Sequence, residues 1–289
     1  MPDHPIVGGA VMTGLMRLRP NLALIVGGIL TAILILTAVV STFWTPEVPT
    51  RVRVSMRLRG PHEAGLLGTD HFGRDVASLL MAGAWNSLAV AWPAVLLGAS
   101  IGIAVGCAAA ALKGLFDEIV MRASDVVFAF PAVLSAIMIG ALLGSGPLAA
   151  VLAIAVFNVP VFARVTRGVA LQVWTYDYVA AARSIGKHPL RITVEDVLPN
   201  IAGVLIVQIT IQLALAILTE AGLSYLGLGV RPPNPSWGRM LSDAQTFLSQ
   251  APHLAIAPGV AIALSVLGLN LLGDGLRDAL DPTLKARNA

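Results

Sequence analysis

The sequence consists largely of long apolar runs separated by polar segments. A helix that crosses the hydrocarbon core of a bilayer needs about 20 predominantly apolar residues. Such runs predict spans at Leu22–Trp44, Ser87–Leu112, Ile119–Leu143, Pro147–Arg164, Ile201–Ala221 and Leu254–Asp274. Because lipid offers no hydrogen-bond partner to an exposed backbone, we expect these spans to be helical. The sequence therefore predicts an all-α integral membrane protein with about six transmembrane helices.

Composition agrees with lipid as the main solvent. Of 289 residues, 56% are hydrophobic and 12% are charged, whereas soluble proteins carry about 25% charged residues. The net charge of +3 would suit nucleic acid, but the basic residues fall in loops, where they orient a membrane protein. We expect lipid contact and no nucleic acid. The single cysteine, Cys107, leaves no intrachain disulfide and no CxxC metal site.

The first run could be a signal peptide or a retained helix. A secretory signal has an apolar core of about 7–15 residues, and Leu22–Trp44 is longer, so we interpret it as a retained helix. With the N-terminus inside, more Lys and Arg residues fall on the cytoplasmic side than outside. This distribution favours cytoplasmic N- and C-termini.

Motifs for ATP binding and catalysis are missing from the sequence. Gly186-Lys187 continues with His188, so it is not a GxxxxGK[ST] phosphate loop. There is no HExxH, no GxSxG on a strand-turn-helix, and no histidine pair at i,i+4 within the spans. We therefore expect no bound cofactor, no metal and no catalytic site in this chain.

Ionisable residues within membrane spans are costly and often functional. Asp125 has Arg122 three residues earlier, which favours a neutralised structural pair. We place Glu220 and Asp274 near water at span ends, whereas Asn158 and Asn270 could join helices or face a pore. No chain of buried carboxylates is visible, so a proton- or sodium-coupled carrier has little support.

The second span has a small residue at every fourth position. The series is Ala94, Gly98, Gly102, Gly106 and Ala110. Such a stripe lets another helix approach backbone to backbone. From the sequence, the neighbouring helix could belong to the same chain or to another subunit.

The polar segment Val165–Asn200 contains a short predicted helix. Thr175 is a suitable N-cap, Tyr176–Ile185 has helical composition, and Gly186 stands where a helix-ending glycine belongs. Three consecutive alanines give this helix a shallow surface that can fit a partner's groove. A helix lying on the membrane interface is the alternative, but the large apolar anchors of such helices are missing.

Ala180-Ala181-Ala182, Gly186 and Leu198-Pro199 resemble the EAA motif of ATP-binding-cassette (ABC) importer permeases. In that family the loop forms a coupling helix that docks on the ATPase subunit. Two positions depart from the motif, since Ala180 replaces its glutamate and Asp196 replaces its isoleucine. The resemblance implies these ATPase-coupling residues: Tyr178, Ala180, Ala181, Ala182, Arg183, Gly186, Leu198 and Pro199.

Three further segments resemble the C-type subunit of the dipeptide/oligopeptide/nickel permeases. They contain the signature residues Gly68, Thr69, Asp70, Gly73, Arg74, Asp75, Glu220, Pro232, Pro233, Trp237 and Gly238, and a C-terminal stretch from Asp274 to Pro282. From the residues themselves, we expect Asp70 to cap a helix on the outer membrane surface and Trp237 to anchor at the interface. The sequence does not distinguish a structural role of these residues from contact with substrate.

The resemblance implies a type I ABC importer permease fold in the bacterial cytoplasmic (inner) membrane. Residues 1–82 would hold the tail, first helix and external loop, 83–280 the permease core with the coupling loop 165–200, and 281–289 a cytoplasmic tail. The chain would form half of the path for di- or oligopeptides or similar small solutes. Implied partners are a homologous second permease in a heterodimer, two ATPase subunits that hold ATP and Mg, and an extracytoplasmic binding protein.

Two other functions are weighed against the importer. A self-sufficient secondary carrier or channel would show internal repeats and buried charges. A membrane-anchored enzyme would need a nucleophile and a base.

Overall fold

A computed structural model describes residues 22–280. The first 21 residues of the predicted segment 1–82, the predicted tail 281–289 and the end of the C-terminal signature lie outside the described residues. Within 22–280 the chain is helical, with 3₁₀ turns at Val54–Met56 and Gln245–Phe247 and a π-helical turn at Thr193–Val197. The helices are α1 (Leu22–Ser41), α2 (Val76–Leu112), α3 (Gly114–Ala129), α4 (Ala132–Leu143), α5 (Pro147–Val173), α6 (Asp177–Ser184), α7 (Pro189–Ile192), α8 (Leu198–Tyr225), α9 (Trp237–Ala244) and α10 (His253–Leu280).

Five of these segments are long and apolar enough to cross a membrane: α1, α2, α5, α10 and the continuous stretch from α7 to α8. A sixth crossing is formed if α3 and α4, which are bent by 91°, are taken as one broken span. The single helix predicted over Ile119–Leu143 is therefore wrong. Pro131 disfavours a helical conformation at the preceding residue, and Phe130 is extended with ψ of 130°. The helix thus ends before the proline.

Helix α2 begins earlier than the apolar pattern predicts. Its N-cap is Asp75, whose side chain accepts a hydrogen bond from the Ser78 N–H at 2.8 Å. The prediction that Asp70 caps a separate surface helix is wrong, because Val76 and Leu79 are buried in the first turn of α2. The helix runs without interruption through residues 82 and 83.

The small-residue stripe of α2 packs against α5 of the same chain. A Cβ added at Gly102 would lie 2.5 Å from the Val159 carbonyl oxygen, and one at Gly106 would lie 2.5 Å from the Ala163 oxygen. Such distances leave room only for hydrogen at these positions. The stripe thus serves packing within the chain.

Helix α1 belongs to the bundle and packs against α10. A Cβ at Gly27 would lie 2.3 Å from the Leu272 backbone nitrogen, and one at Gly275 would lie 2.5 Å from the Leu24 Cα. These close approaches make α1 a packed member of the bundle.

Candidate functional site

Helix α6 lies in the segment between α5 and α7. Its N-cap is Tyr176 rather than the predicted Thr175, whose hydroxyl instead donates to the Gln172 carbonyl at 2.7 Å. Gly186 ends the helix with φ of +81°, as the sequence predicts. The Gly186 N–H donates to the Arg183 carbonyl at 3.0 Å and the Lys187 N–H to the Ala182 carbonyl at 3.1 Å, which is a Schellman motif.

One face of α6 is exposed and has short side chains. Asp177, Ala180, Ala181 and Ser184 follow each other at i, i+3, i+4 and i+7, and all are exposed. Tyr178, Arg183 and Ile185 are also exposed beside this face. Partial burial, followed by the nearby Tyr176 and Asp196, raises the pKa of the Tyr178 phenol. We call the set 177, 180, 181 and 184 the shallow face.

The opposite side of α6 is fixed to the transmembrane helices. Val179 is completely buried and half-buried Ala182 packs beside it. The apolar cluster around them contains residues of α2, α5, α6, α7, the π-helical turn and α8. Its buried members are Cys107, Ala110, Ala170, Val173, Trp174, Val179, Ile192, Val197, Ile201 and Leu205. A force on α6 would therefore reach α2, α5 and α8 through packed side chains.

The Leu198-Pro199 pair lies at the junction between the π-helical turn and α8. Pro199 has no N–H to donate to the carbonyl one turn earlier, which disfavours regular α-helical bonding at this point. The Leu198 N–H instead donates to the Thr193 carbonyl, five residues back. Leu198 packs against the apolar cluster. The pair thus sets how α7 continues into α8.

Lys187 connects the end of α6 to the start of α8. Its Nζ pairs with Asp196 and lies 2.9 Å from Glu195 Oε2, and Glu195 also pairs with Arg191 at 2.7 Å. The hydrogen bonds that Lys187 donates to Asp196 and, to a lesser extent, to Glu195 raise the pKa of Lys187, so it stays protonated. Asp196, which departs from the EAA motif, therefore has a partner within the chain. Sequence reasoning missed Lys187, because nine residues and a turn separate it from Asp196.

The first external signature organises its own loop. The Asp70 carboxylate accepts from the N–H groups of Phe72 at 2.9 Å and Arg74 at 2.8 Å, and it pairs with the Arg74 guanidinium at 2.6 Å. Thr69 is buried and its hydroxyl donates to the Met56 carbonyl. A Cβ at Gly73 would lie 1.9 Å from the Arg53 carbonyl oxygen. These residues fold the loop before α2.

Glu220 is wholly buried between α2 and α8, and the expectation that it lies near water is wrong. Its carboxyl group accepts from the Ser87 hydroxyl at 2.7 Å and the Ser224 hydroxyl at 2.6 Å. Ser224 in turn accepts from the Val230 N–H at 3.1 Å. The pairing of Glu220 with these two serines was not predicted, since a serine in an apolar run gives no sign of its partner. The network fastens the loop after α8 to two spans.

Trp237 is only 3% exposed, so its interpretation as an interface anchor is wrong. The indole N–H donates to the Leu80 carbonyl at 3.0 Å, and its ring lies against Gly83 of α2. Gly238 lies against α8, where a Cβ would be 1.9 Å from the Ala221 carbonyl oxygen. The second signature is thus fastened to the same two helices.

The two external signatures meet around one cleft of about 210 Å³. Arg74 lines it from the first signature, and Pro232 and Pro233 line it from the second. None of these residues lies near α6. The directions of the spans put α6 on the other side of the membrane. The signature residues therefore form one external group and the EAA-type residues another.

Two acidic residues of α3, Asp117 and Asp125, pair with arginines of α5. The predicted pair of Asp125 with Arg122 is wrong, because Asp125 pairs with Arg164 instead. Arg122 approaches Glu118 at 3.8 Å. Helix periodicity suggested the nearer arginine, but the partner lies 39 residues away in the sequence.

A cavity of about 340 Å³ opens between α3, α4, α5 and α8. Its lining is mostly apolar, with three uncharged polar side chains. The lining residues are Phe128, Ala136, Ala153, Ile154, Phe157, Asn158, Val161, Gln212, Leu215, Ala216, Thr219 and Leu223. Within residues 22–280, no group of three His, Cys, Asp or Glu residues could hold a metal ion.

Comparison with known proteins places these features in a family. Residues 98–286 match the model of the binding-protein-dependent transport system inner membrane component. The glutathione transport system permease protein GsiD of Pectobacterium atrosepticum is 45% identical over 227 residues, which cover 78% of this chain and 75% of the relative. GsiD of Escherichia coli O6:K15:H31 is 43% identical over 226 residues, covering 78% of this chain and 75% of that protein.

A solved structure supports the fold. A chain of the MetNI methionine ABC transporter in an inward-facing conformation aligns with a TM-score of 0.60 at 20% identity. The alignment covers 70% of this chain and 97% of that chain. Together with the family match over most of the sequence, the fold is that of an ABC importer permease. The chain belongs to the family of binding-protein-dependent transport system inner membrane components, and it is a multi-pass permease subunit of an ABC importer rather than an enzyme.

Proposed function

We propose that this chain and a homologous second permease form the translocation path for a peptide-type solute of about tripeptide size. The support for this cargo is the name of relatives at 43% and 45% identity, which are glutathione permeases. An extracytoplasmic binding protein delivers the solute. Two ATPase subunits hold ATP and Mg and supply the energy, so this chain needs no nucleotide site of its own.

The shallow face of α6 is the observation that carries the proposed coupling. Short side chains at Ala180, Ala181 and Ser184 let a helix backbone approach a groove closely. Tyr178 and Ile185, which is 83% exposed, flank this face and offer apolar area to a partner. Val179 holds the other side of the helix against the bundle. We therefore place the ATPase contact on α6.

Ala181→Trp tests this contact. A large ring on the shallow face would prevent close seating, whereas the exposed position leaves the fold of this chain intact. We expect normal membrane insertion and at least tenfold lower ATP-driven uptake of radiolabelled glutathione by the reconstituted transporter. Ala32→Trp, at an exposed position on α1, is the matched control and should transport normally. Normal uptake and normal ATPase assembly with Ala181→Trp would contradict the proposal.

A further inference from the structure

The cavity between α3, α4, α5 and α8 has unused hydrogen-bonding groups at the depth where a solute must pass. We propose that it is a transit subsite that binds uncharged peptide groups of the cargo through the amide of Gln212, with Asn158 beside it. The inference rests on the proposed function and assigns contact residues within that path.

The two amides lie at similar depth on neighbouring antiparallel helices. Counted from the outer ends of α5 at Pro147 and α8 at Tyr225, Asn158 and Gln212 each lie roughly 17–20 Å inward at 1.5 Å per residue. The bilayer core is about 30 Å thick, so both lie near its middle. Both residues line the same cavity.

Their hydrogen-bonding capacity is not used within the described chain. The Asn158 side-chain N–H donates to the Ile154 carbonyl at 2.9 Å, and this bond fixes the orientation of the amide. Asn158 Oδ1 is buried and has no partner among the described residues. Gln212 is 9% exposed. Its amide has no hydrogen bond to any of the described residues. Buried polar groups without partners are costly, so they commonly await a ligand or a water molecule.

The chemistry of these groups matches a peptide bond. The Gln212 amide can accept a hydrogen bond from a peptide N–H group and donate one to a peptide carbonyl. No Asp, Glu, Lys or Arg residue lies among the residues that line the cavity. A neutral lining favours the uncharged middle of a peptide over its charged termini. A few neutral hydrogen bonds also bind weakly enough to release a solute in transit.

Hydrogen bonds to the second permease would also satisfy these amides, and the test must separate the two occupants. Cys107 is the single cysteine, so Cys107→Ala gives a background for site-specific labelling. Gln212→Cys is introduced there, and the complete transporter is reconstituted with its binding protein. Orthovanadate then traps the complex with the binding protein either empty or loaded with S-methylglutathione, which has no free thiol.

We expect a small thiosulfonate reagent to label Gln212→Cys at least tenfold more slowly when the binding protein is loaded. Asn270→Cys on α10, a polar position outside the cavity, is the control and should label at the same rate in both states. Equal rates at Gln212→Cys with empty and loaded binding protein would overturn the subsite. So would a cysteine that is sealed in both states, because it would indicate contact with the second permease.

Transport gives a second measurement that does not depend on labelling. Gln212→Leu keeps the size of the side chain but removes both hydrogen-bonding atoms. We expect it to lower S-methylglutathione uptake about tenfold while ATPase stimulation by the binding protein is kept, and Gln212→Asn should recover part of the uptake. Wild-type uptake by Gln212→Leu would overturn the subsite and leave the proposed function standing. Failure of the wild-type transporter to take up any peptide would overturn both.

Discussion

At the scale of single residues, Glu220 shows how a signature residue stabilises the fold. Glu220 lies in an apolar span, where an unpartnered carboxyl group would be strongly destabilising. Hydroxyl groups of Ser87 and Ser224 donate to its two oxygens, so the group joins α2 to the end of α8. Its role in this structure is thus to hold an external loop rather than to touch water or cargo.

Replacing Glu220 by alanine should destabilise the protein. Glu220→Ala would leave two buried hydroxyl groups without their acceptor, and each such loss costs about 1–3 kcal/mol. We expect the free energy of unfolding to fall by about 2–4 kcal/mol. Glu220→Gln keeps an oxygen and adds a donor that rotated serine hydroxyls can accept, so it should be nearly neutral. Thermal unfolding of the purified chain in detergent measures both, and equal stability of wild type and Glu220→Ala would contradict this account.

At the scale of helices, close packing depends on which glycine faces a neighbour. Gly27 and Gly28 are adjacent in α1, yet only the first meets α10. A Cβ at Gly27 would lie 2.3 Å from Leu272 N, while one at Gly28 would have nothing within 4 Å. The sequence alone does not distinguish two consecutive glycines in an apolar run.

This difference gives a matched pair of variants. Gly27→Ala should force α1 away from α10 and lower the melting temperature by several degrees, since overpacking costs about 1–3 kcal/mol. Gly28→Ala should be neutral or slightly stabilising, because alanine favours the helix by up to about 1 kcal/mol. Circular dichroism melts of both variants in one detergent make the comparison. A similar effect of the two substitutions would contradict the packing of α1 on α10.

The link between α6 and α8 is also open to a charge-exchange test. Lys187→Glu places three acidic groups together at residues 187, 195 and 196, so we expect uptake to fall while the protein still inserts. Adding Asp196→Lys restores an opposite-charge pair and should recover at least half of the uptake. The side chains of Lys187 and Asp196 are partly buried, at 17% and 24% exposure, so the single variant should also lose some stability, and the double variant should regain it. Normal uptake by Lys187→Glu would show that the pair does not position α6.

The sequence predicts the positions of the helices better than the breaks between them and the side-chain contacts that they make. Long apolar runs specify the spans, and Gly186 specifies the end of α6. The break at Pro131 was missed, because a proline within an apolar run can kink a helix or end it. The partner of Asp125 and the burial of Trp237 were also missed, since both depend on residues distant in the sequence. The position of Gln212 in a cavity was not predicted, because an uncharged amide in an apolar run does not by itself indicate a binding site.

In the molecule as a whole, the two groups of signature residues lie on opposite sides of the membrane and stabilise different parts of the fold. External signatures fasten loops to α2 and α8, and the segment with α6 connects through one apolar cluster to α2, α5 and α8. The proposed cargo cavity lies between α3, α4, α5 and α8, so two of the helices that line it also contact α6 through that cluster. Movement of α6 by a partner could therefore change the cavity.

The most direct test asks whether transport depends on separate ATPase subunits. Vesicles are prepared with this chain, its partner permease and the binding protein, with or without the ATPase subunits, and S-methylglutathione uptake is followed with ATP supplied on the cytoplasmic side. We predict ATP-dependent accumulation with the ATPases and none without them, whatever proton or sodium gradient is imposed. Gradient-driven accumulation in vesicles that lack the ATPases would contradict the account and favour a self-sufficient carrier.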